Sequence, residues 1–212
     1  MSKNYLLSCG ILSTLLYVLL NALIPPFFEG YDIASQTVSE LSAIDAPTRP
    51  IWVPLASFYV ILFAAFGWGI WKSAGENKNL KIAARIILIY VLINVYWPPM
   101  HLRGNEPTLT DTLHIVWAMV TVFLMMLIMG FGAAALGRPF RLFTALTFVV
   151  FIAFGLLIGT EAPNIPQNLP TPHIGIWERI NIAAFMIWVA VFAFALMRRN
   201  ALTPVMAPKP AL

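Results

Sequence analysis

Three ionisable side chains stand out in the stretch WPPMHLRGNEPTLTDTLHIVW, residues 97–117: His101, Asp111 and His114, with Arg103 among them. Asp111 and His114 are three residues apart where an apolar run begins, so a helix there puts both on one face. A carboxylate beside an imidazole orients it for proton transfer or joins it as a metal ligand. His101, His114 and Asp111 together have the composition of a catalytic zinc site, with three protein ligands and an open position. In that reading Glu40 or Glu161 is the general base and the reaction is lipid hydrolysis. The chain has no H-E-x-x-H motif and no cysteine pair. Zinc therefore belongs to the alternative reading, and the leading one uses no cofactor.

Each of these residues also has a plainer use. Thr108-x-x-Asp111 approximates a capping box, and an acid suits the positive end of a helix dipole. Arg103 and Arg179 either pair with carboxylates or grip a phosphate or carboxylate head group at two points. Glu178 adjoins Arg179, and Asn181 follows one turn into an apolar run. The candidate binding residues are His101, Arg103, Asp111, His114, Glu178 and Asn181, acting by hydrogen bonding and head-group charge matching. His173 reads as a solvated loop residue.

The elements that position these groups are set by composition. The chain has 212 residues, 60% of them hydrophobic and 10% charged. Soluble domains carry about 25% charged residues, so the natural solvent here is a bilayer. A crossing helix needs about 20 mostly apolar residues. Six runs qualify, at about 5–24, 51–71, 82–97, 112–136, 141–159 and 176–198, the third and fifth being the shortest. The expected fold is all-α: an integral membrane bundle of six transmembrane helices in a single domain, residues 1–212. The single cysteine, Cys9, excludes an intrachain disulfide and reads as a packing residue.

Charge gives the expected direction. Lys3, Lys72, Lys78, Lys81, Arg85, Arg138, Arg141, Arg198, Arg199 and Lys209 fall at one set of span ends. Only Arg49, Arg103 and Arg179 fall at the other. The positive-inside rule then places both termini in the cytoplasm, in an inner membrane. The net charge of +4 follows this layout and does not indicate a nucleic-acid partner. The acids do the reverse: all but Glu76 lie on the outer side, as do the three histidines. Acids contribute little to orientation, so this gathering asks for another cause.

The outer connections are also the long ones, and long loops are often functional. Residues 35–47, SQTVSELSAIDAP, have the spacing of a short helix on the membrane surface with Val38 and Leu41 on one side. The proline-rich segment 160–173 should be extended and stiff, covering the outer mouth. Asn21, Ser57, Asn94, His114 and Asn181 bring a polar group to similar outer depth in different spans, and polar groups in lipid face other helices. At the inner ends, Ala133 and Gly137 in GFGAAALG permit close helix approach. Tyr31, Trp52, Trp71, Tyr96, Trp97 and Trp177 read as interfacial anchors. No charged residue lies near the middle of a span, which disfavours an ion-coupled transporter.

The segments SQTVSELSAIDAPTRPIW, PPMHLRG with TLTDTLH, GFGAAALGRPFRLFTA and PTPHIGIWERINI, in this order, resemble the multi-pass membrane family called domain of unknown function 998. The resemblance implies the fold and brings no reaction with it. His101 stands where that family often has an acid. A looser similarity links Ser39, Asp111, His101 and His114 to the residue types of alkaline ceramidases, but the sixth span here has no histidine. The leading expectation is an outward-facing polar pocket that handles membrane lipids or a small amphiphile without covalent chemistry. The alternatives are the metal-dependent lipid hydrolase and a structural subunit whose outer charges meet a protein partner.

Overall fold

Every apolar run becomes a helix, because in a bilayer the backbone must satisfy its own polar groups. The structure, a computed structural model, describes residues 3–202; Lys209 lies outside them. The helices are α1 (Lys3–Leu23), α2 (Arg49–Ser73), α3 (Lys78–Asn94), α4 (Leu109–Ala135), α5 (Arg138–Glu161) and α6 (Ile174–Leu202). Among the described residues there is no strand, only an isolated parallel bridge between Ile44 and His101.

Five of the helices, α1, α2, α4, α5 and α6, are long and apolar enough to cross a membrane. α3 departs from the expected span. It has 17 residues; at 1.5 Å each that is about 26 Å, short of a hydrocarbon core of about 30 Å. It starts early because the Asn77 side chain accepts from Leu80 N at 3.0 Å, capping the helix ahead of Lys78 and Lys81. It stops at Asn94 because Pro98 has no N–H for the Asn94 carbonyl and Pro98 disfavours a helical Trp97. α5 is longer than expected: Gly137 is its cap, and Pro139 sits in the first turn, where its missing N–H costs nothing.

The helices form a ring in chain order. α1 packs on α2, α2 on α3, α3 on α4, α5 on α6, and α6 back on α1. The joint between α4 and α5 is the exception, a sparse contact between consecutive helices. The two are tied at one end by the short link through Leu136 and Gly137, where Arg141 Nε donates to Leu136 O at 3.1 Å. Towards the other end the seam opens.

The core lies inside the ring. Phe63, Phe66, Phe185, Trp188 and Phe192 are fully buried there, and the Trp188 and Phe192 ring centres are 4.7 Å apart. Polar side chains stitch helices across it: Thr14 Oγ1 donates to Met186 O at 3.0 Å, and Trp188 Nε1 donates to Thr144 Oγ1 at 2.8 Å. Within GFGAAALG the close approach falls at Gly132, where a Cβ would come within 2.6 Å of the Trp188 ring, whereas a Cβ at the expected Gly137 would meet nothing nearer than Pro139, at 3.8 Å.

The two ends of the bundle differ in charge as the sequence predicts. Asn4, Ser73 and Asn200 meet at the basic end, where Asn200 Nδ2 lies 3.1 Å from Ser73 Oγ and 3.3 Å from Asn4 Oδ1. The start of α1 and the end of α6 therefore lie together. The long connections meet at the acidic end.

Candidate functional site

The acidic end is built on the segment 31–48, which folds inward. Its expected surface helix is a five-residue 3-10 turn, Val38–Ser42. Val38 and Leu41 do not lie on a membrane surface; they are buried against Leu20, Ile24, Trp52 and Ala56. A capping box starts the turn: Glu40 Oε2 accepts from Thr37 N at 2.6 Å and from Thr37 Oγ1 at 3.0 Å.

Arg103 locks this turn to the rest. Its Nε donates to Glu40 Oε1 at 2.6 Å and one terminal nitrogen to Glu40 Oε2 at 3.0 Å, a two-point pair. The same guanidinium donates to Ser35 O at 2.7 Å and to Thr171 Oγ1. Glu40 is completely buried, which is tolerable only because all of its oxygens are engaged. Arg103 thus joins three connections and is consumed by protein partners. Arg179, expected to pair with a carboxylate or hold an anion, instead donates to the carbonyls of Ile33, Gln36 and Gly175 at 3.0 to 3.1 Å and to Tyr31 Oη at 2.7 Å. Gly175 allows this: a Cβ there would stand 2.3 Å from the Ile33 and Gln36 oxygens.

Tyr31 completes the clasp by donating to Thr37 O at 2.7 Å. Burial pushes its phenol up to about 12, with Arg179 pulling the other way. The nearby Asp32 carboxyl is held below its usual range, first by Ser35 Oγ and then by Ala34 N. Glu161 accepts from His173 N and Ile174 N at 3.1 and 2.9 Å, capping the start of α6. The proline-rich segment is less extended than expected, because α5 runs to Glu161 and a 3-10 turn, Ala162–Asn164, follows it. His173 is exposed and stacks on Trp177 at 5.4 Å.

The histidines do not pair as their spacing predicts. Asp111 forms the capping box with Thr108, and it also reaches His101. It accepts from His101 N at 2.7 Å, and its other oxygen is 2.9 Å from His101 Nδ1. His114, on the same helix, turns instead to Pro98 O, 2.7 Å from its Nδ1. A carbonyl only accepts, so Nδ1 carries the proton, and Nε2 of the neutral ring is a free acceptor. Two prolines hold Pro98 O in place, so the tautomer follows from the backbone.

Two cavities meet here. The outer one, about 640 Å³, lies in the open part of the α4–α5 seam. Its walls are mostly apolar, with Ile115, Ala118 and Met119 from α4, Ile158 and Gly159 from α5, and Pro163 and Pro166 beyond. The inner one, about 250 Å³, lies within the ring among Tyr17, Tyr59, Tyr90, Asn94, Thr121 and Asn181. Ser39, His114, Ala118, Ile158 and Glu178 line both. Glu178 accepts from Val38 N through one oxygen and makes no ion pair among the described residues. Asn181 donates to Phe151 O at 2.5 Å.

Of the six candidate binding residues, His101, Arg103, Asp111, His114 and Glu178 line the outer cavity, and His114, Glu178 and Asn181 the inner. Asn21 and Ser57 line neither. Trp52 and Trp97, expected as interfacial anchors, line the inner cavity, and Trp52 is buried. Tyr59 and Tyr90 also line the inner cavity, and no motif or spacing marks them. Their signal was position, since both lie well inside a helix and not at an interface, with hydroxyls 3.5 Å apart.

The side chains do not fit the zinc reading. No group of three His, Cys, Asp or Glu able to hold a metal occurs among the described residues. His101 and Asp111 are bonded to each other, and His114 faces away to Pro98 O. Neither proposed base is free, because Glu40 is committed to Arg103 and Glu161 to the start of α6.

The chain is a helical multi-pass membrane protein with a cleft at one end of its bundle. Comparison with known families makes this particular: a family model described as "Protein of unknown function (DUF998)" matches residues 11–195, and the chain belongs to that family. No curated protein and no solved structure matches it.

Proposed function

We propose that this protein binds or handles a membrane lipid or small amphiphile, admitted sideways through the α4–α5 seam. The supporting observation is the position of the outer cavity. It occupies the one loose joint of the ring, so an acyl chain can lie between α4 and α5 without leaving an apolar environment. Its polar end then reaches Ser39, His114 and Glu178. Ligand sites of this kind pair mostly apolar walls with a few convergent polar groups. The charge layout supports an inner-membrane orientation with the acidic end, and so the mouth, away from the cytoplasm. Binding and release need no bond to be made or broken.

Gly159 offers a direct test. A Cβ there meets nothing within 4 Å, so Gly159→Trp starts into the cleft without a backbone clash. Gly130 is equally open but lies outside both cavities, and Gly130→Trp is the control. Lipids that co-purify with each protein are extracted and quantified by mass spectrometry. Gly159→Trp should lose a specific lipid by about tenfold, equivalent to about 1.4 kcal/mol. Equal lipid content in both variants would sink the proposal.

A further inference from the structure

Resting on that reading, we propose that the ligand's head group is a hydrogen-bond donor, a polyol or an ammonium, and not a phosphate or carboxylate. The inner cavity is the compartment next to the polar wall, and its lining contains no lysine and no arginine. At the shared wall the groups without a protein partner favour a donor. His114 Nε2 presents a lone pair, with its tautomer fixed by Pro98 O. Glu178 has one oxygen bonded to Val38 N, and the other has no hydrogen-bond partner among the described residues. The Ser39 hydroxyl has none among them either. Deeper in, Tyr59 and Tyr90 add hydroxyls, which take either role, and Asn94 and Asn181 add amide oxygens, which only accept.

Of the two arginines that an anionic head group would need, one is paired and the other stands outside both cavities. Arg103 lines the outer cavity, but its charge is matched by a buried Glu40 in two-point contact. Arg179 lines neither cavity, and its terminal nitrogens are taken by carbonyls and Tyr31. An anion entering beside Glu178 would be desolvated without a cation to receive it. A hydroxyl or ammonium donor meets acceptors instead. The inner cavity accommodates a glycerol-sized group, with the chain extending back into the seam.

The test uses the full chain in phosphatidylcholine nanodiscs, with three single-chain probes of equal chain length: 1-monolauroylglycerol, dodecylamine and lauroyl lysophosphatidate. Trp97 and Trp117 line the inner cavity and report occupancy by fluorescence. The glycerol ester or the amine should bind saturably, at least about tenfold more tightly than the lysophosphatidate, whose phosphate would be desolvated with no lysine or arginine in the inner lining to receive it. Glu178→Gln separates the two sources. It should weaken the amine about tenfold if the natural head group is a cation, and leave the glycerol ester within about twofold if it is a polyol. His114→Phe should weaken whichever binds, and Ser39→Val provides a second variant if His114→Phe fails to fold. Tightest binding of lysophosphatidate would overturn this inference while leaving the amphiphile reading intact. Saturable binding of none of the three overturns both.

Discussion

The two ends of the bundle use polar side chains in opposite ways. At the basic end the connections are short, and their polar groups close the structure. Asn77 caps α3 and also donates to Ala135 O at 3.2 Å, tying α3 to α4. Arg199 donates to Ser73 O at 3.0 Å. At the acidic end the connections are long, and irregular backbone at membrane depth is tolerated only where protein satisfies it or it lines a cavity. The three arginines that break the charge trend supply that satisfaction. Arg49 donates to Ser42 O, Arg103 to Ser35 O, and Arg179 to Ile33 O and Gln36 O. All of them hold the segment 33–42. With the loop secured by these donors, Ser39, His114 and Glu178 are left free to face a cavity.

The largest expected effect breaks this arrangement at Arg103. Arg103→Ala leaves Glu40 fully buried without its counter-charge, which should cost about 3–5 kcal/mol. Asn77→Ala, at the opposite end, removes a helix cap worth about 0.5–2 kcal/mol. The apparent Tm in detergent should therefore fall much further for Arg103→Ala. If Asn77→Ala is the more damaging, the acidic end is not held by its buried ion pair.

Next comes the packed interior below the cavities. Gly132→Leu forces a side chain against Trp188, where even a Cβ has no room. Such overpacking costs about 1–3 kcal/mol. Gly130→Leu, on the same helix but facing open space, should stay within about 0.5 kcal/mol of the parent. Thermal unfolding of the two side by side sharpens the contrast between a closed interior and an open seam. Similar losses in both would mean that α4 is simply intolerant of bulk.

The fold was largely legible because its cause is coarse. Long apolar runs in lipid have few choices, and the helices appear where hydropathy puts them. α3 departs from its apolar run because Asn77 and Pro98, and not apolarity, set its ends through hydrogen bonds made and lost. The clustering of the candidate residues was legible, but their pairing was not. His101, Asp111 and His114 do gather at one rim, as their scarcity suggests. Their partners depend on a backbone carbonyl, Pro98 O, and on a loop returning to Asp111, and neither leaves a spacing signal. Arg103 and Glu40 are separated by 63 residues, so their contact could not be read from neighbours. The seam was invisible for a related reason: α4 and α5 are as apolar as their neighbours, and only packing reveals that they part.

The smallest expected effect tests how the acidic end responds to pH. Tyr31 keeps its proton in the folded protein up to about 12, whereas its ordinary value is 10.0. Between these values the unfolded chain releases the proton and the folded one retains it, so stability falls as pH rises through this window. Below 10.0 the contribution is fully present. Tyr31→Phe removes the titration along with the hydrogen bonds to Thr37 O and from Arg179. The variant should be less stable than the parent at neutral pH by about 1 kcal/mol, and the gap should close and then change sign as pH climbs towards 12. Tyrosines elsewhere titrate in both proteins and cancel in the difference. A gap that stays constant across the window would mean that the phenol is not sealed beneath the 31–37 clasp, and the acidic end would then be a looser cap than the bonds around Tyr31 imply.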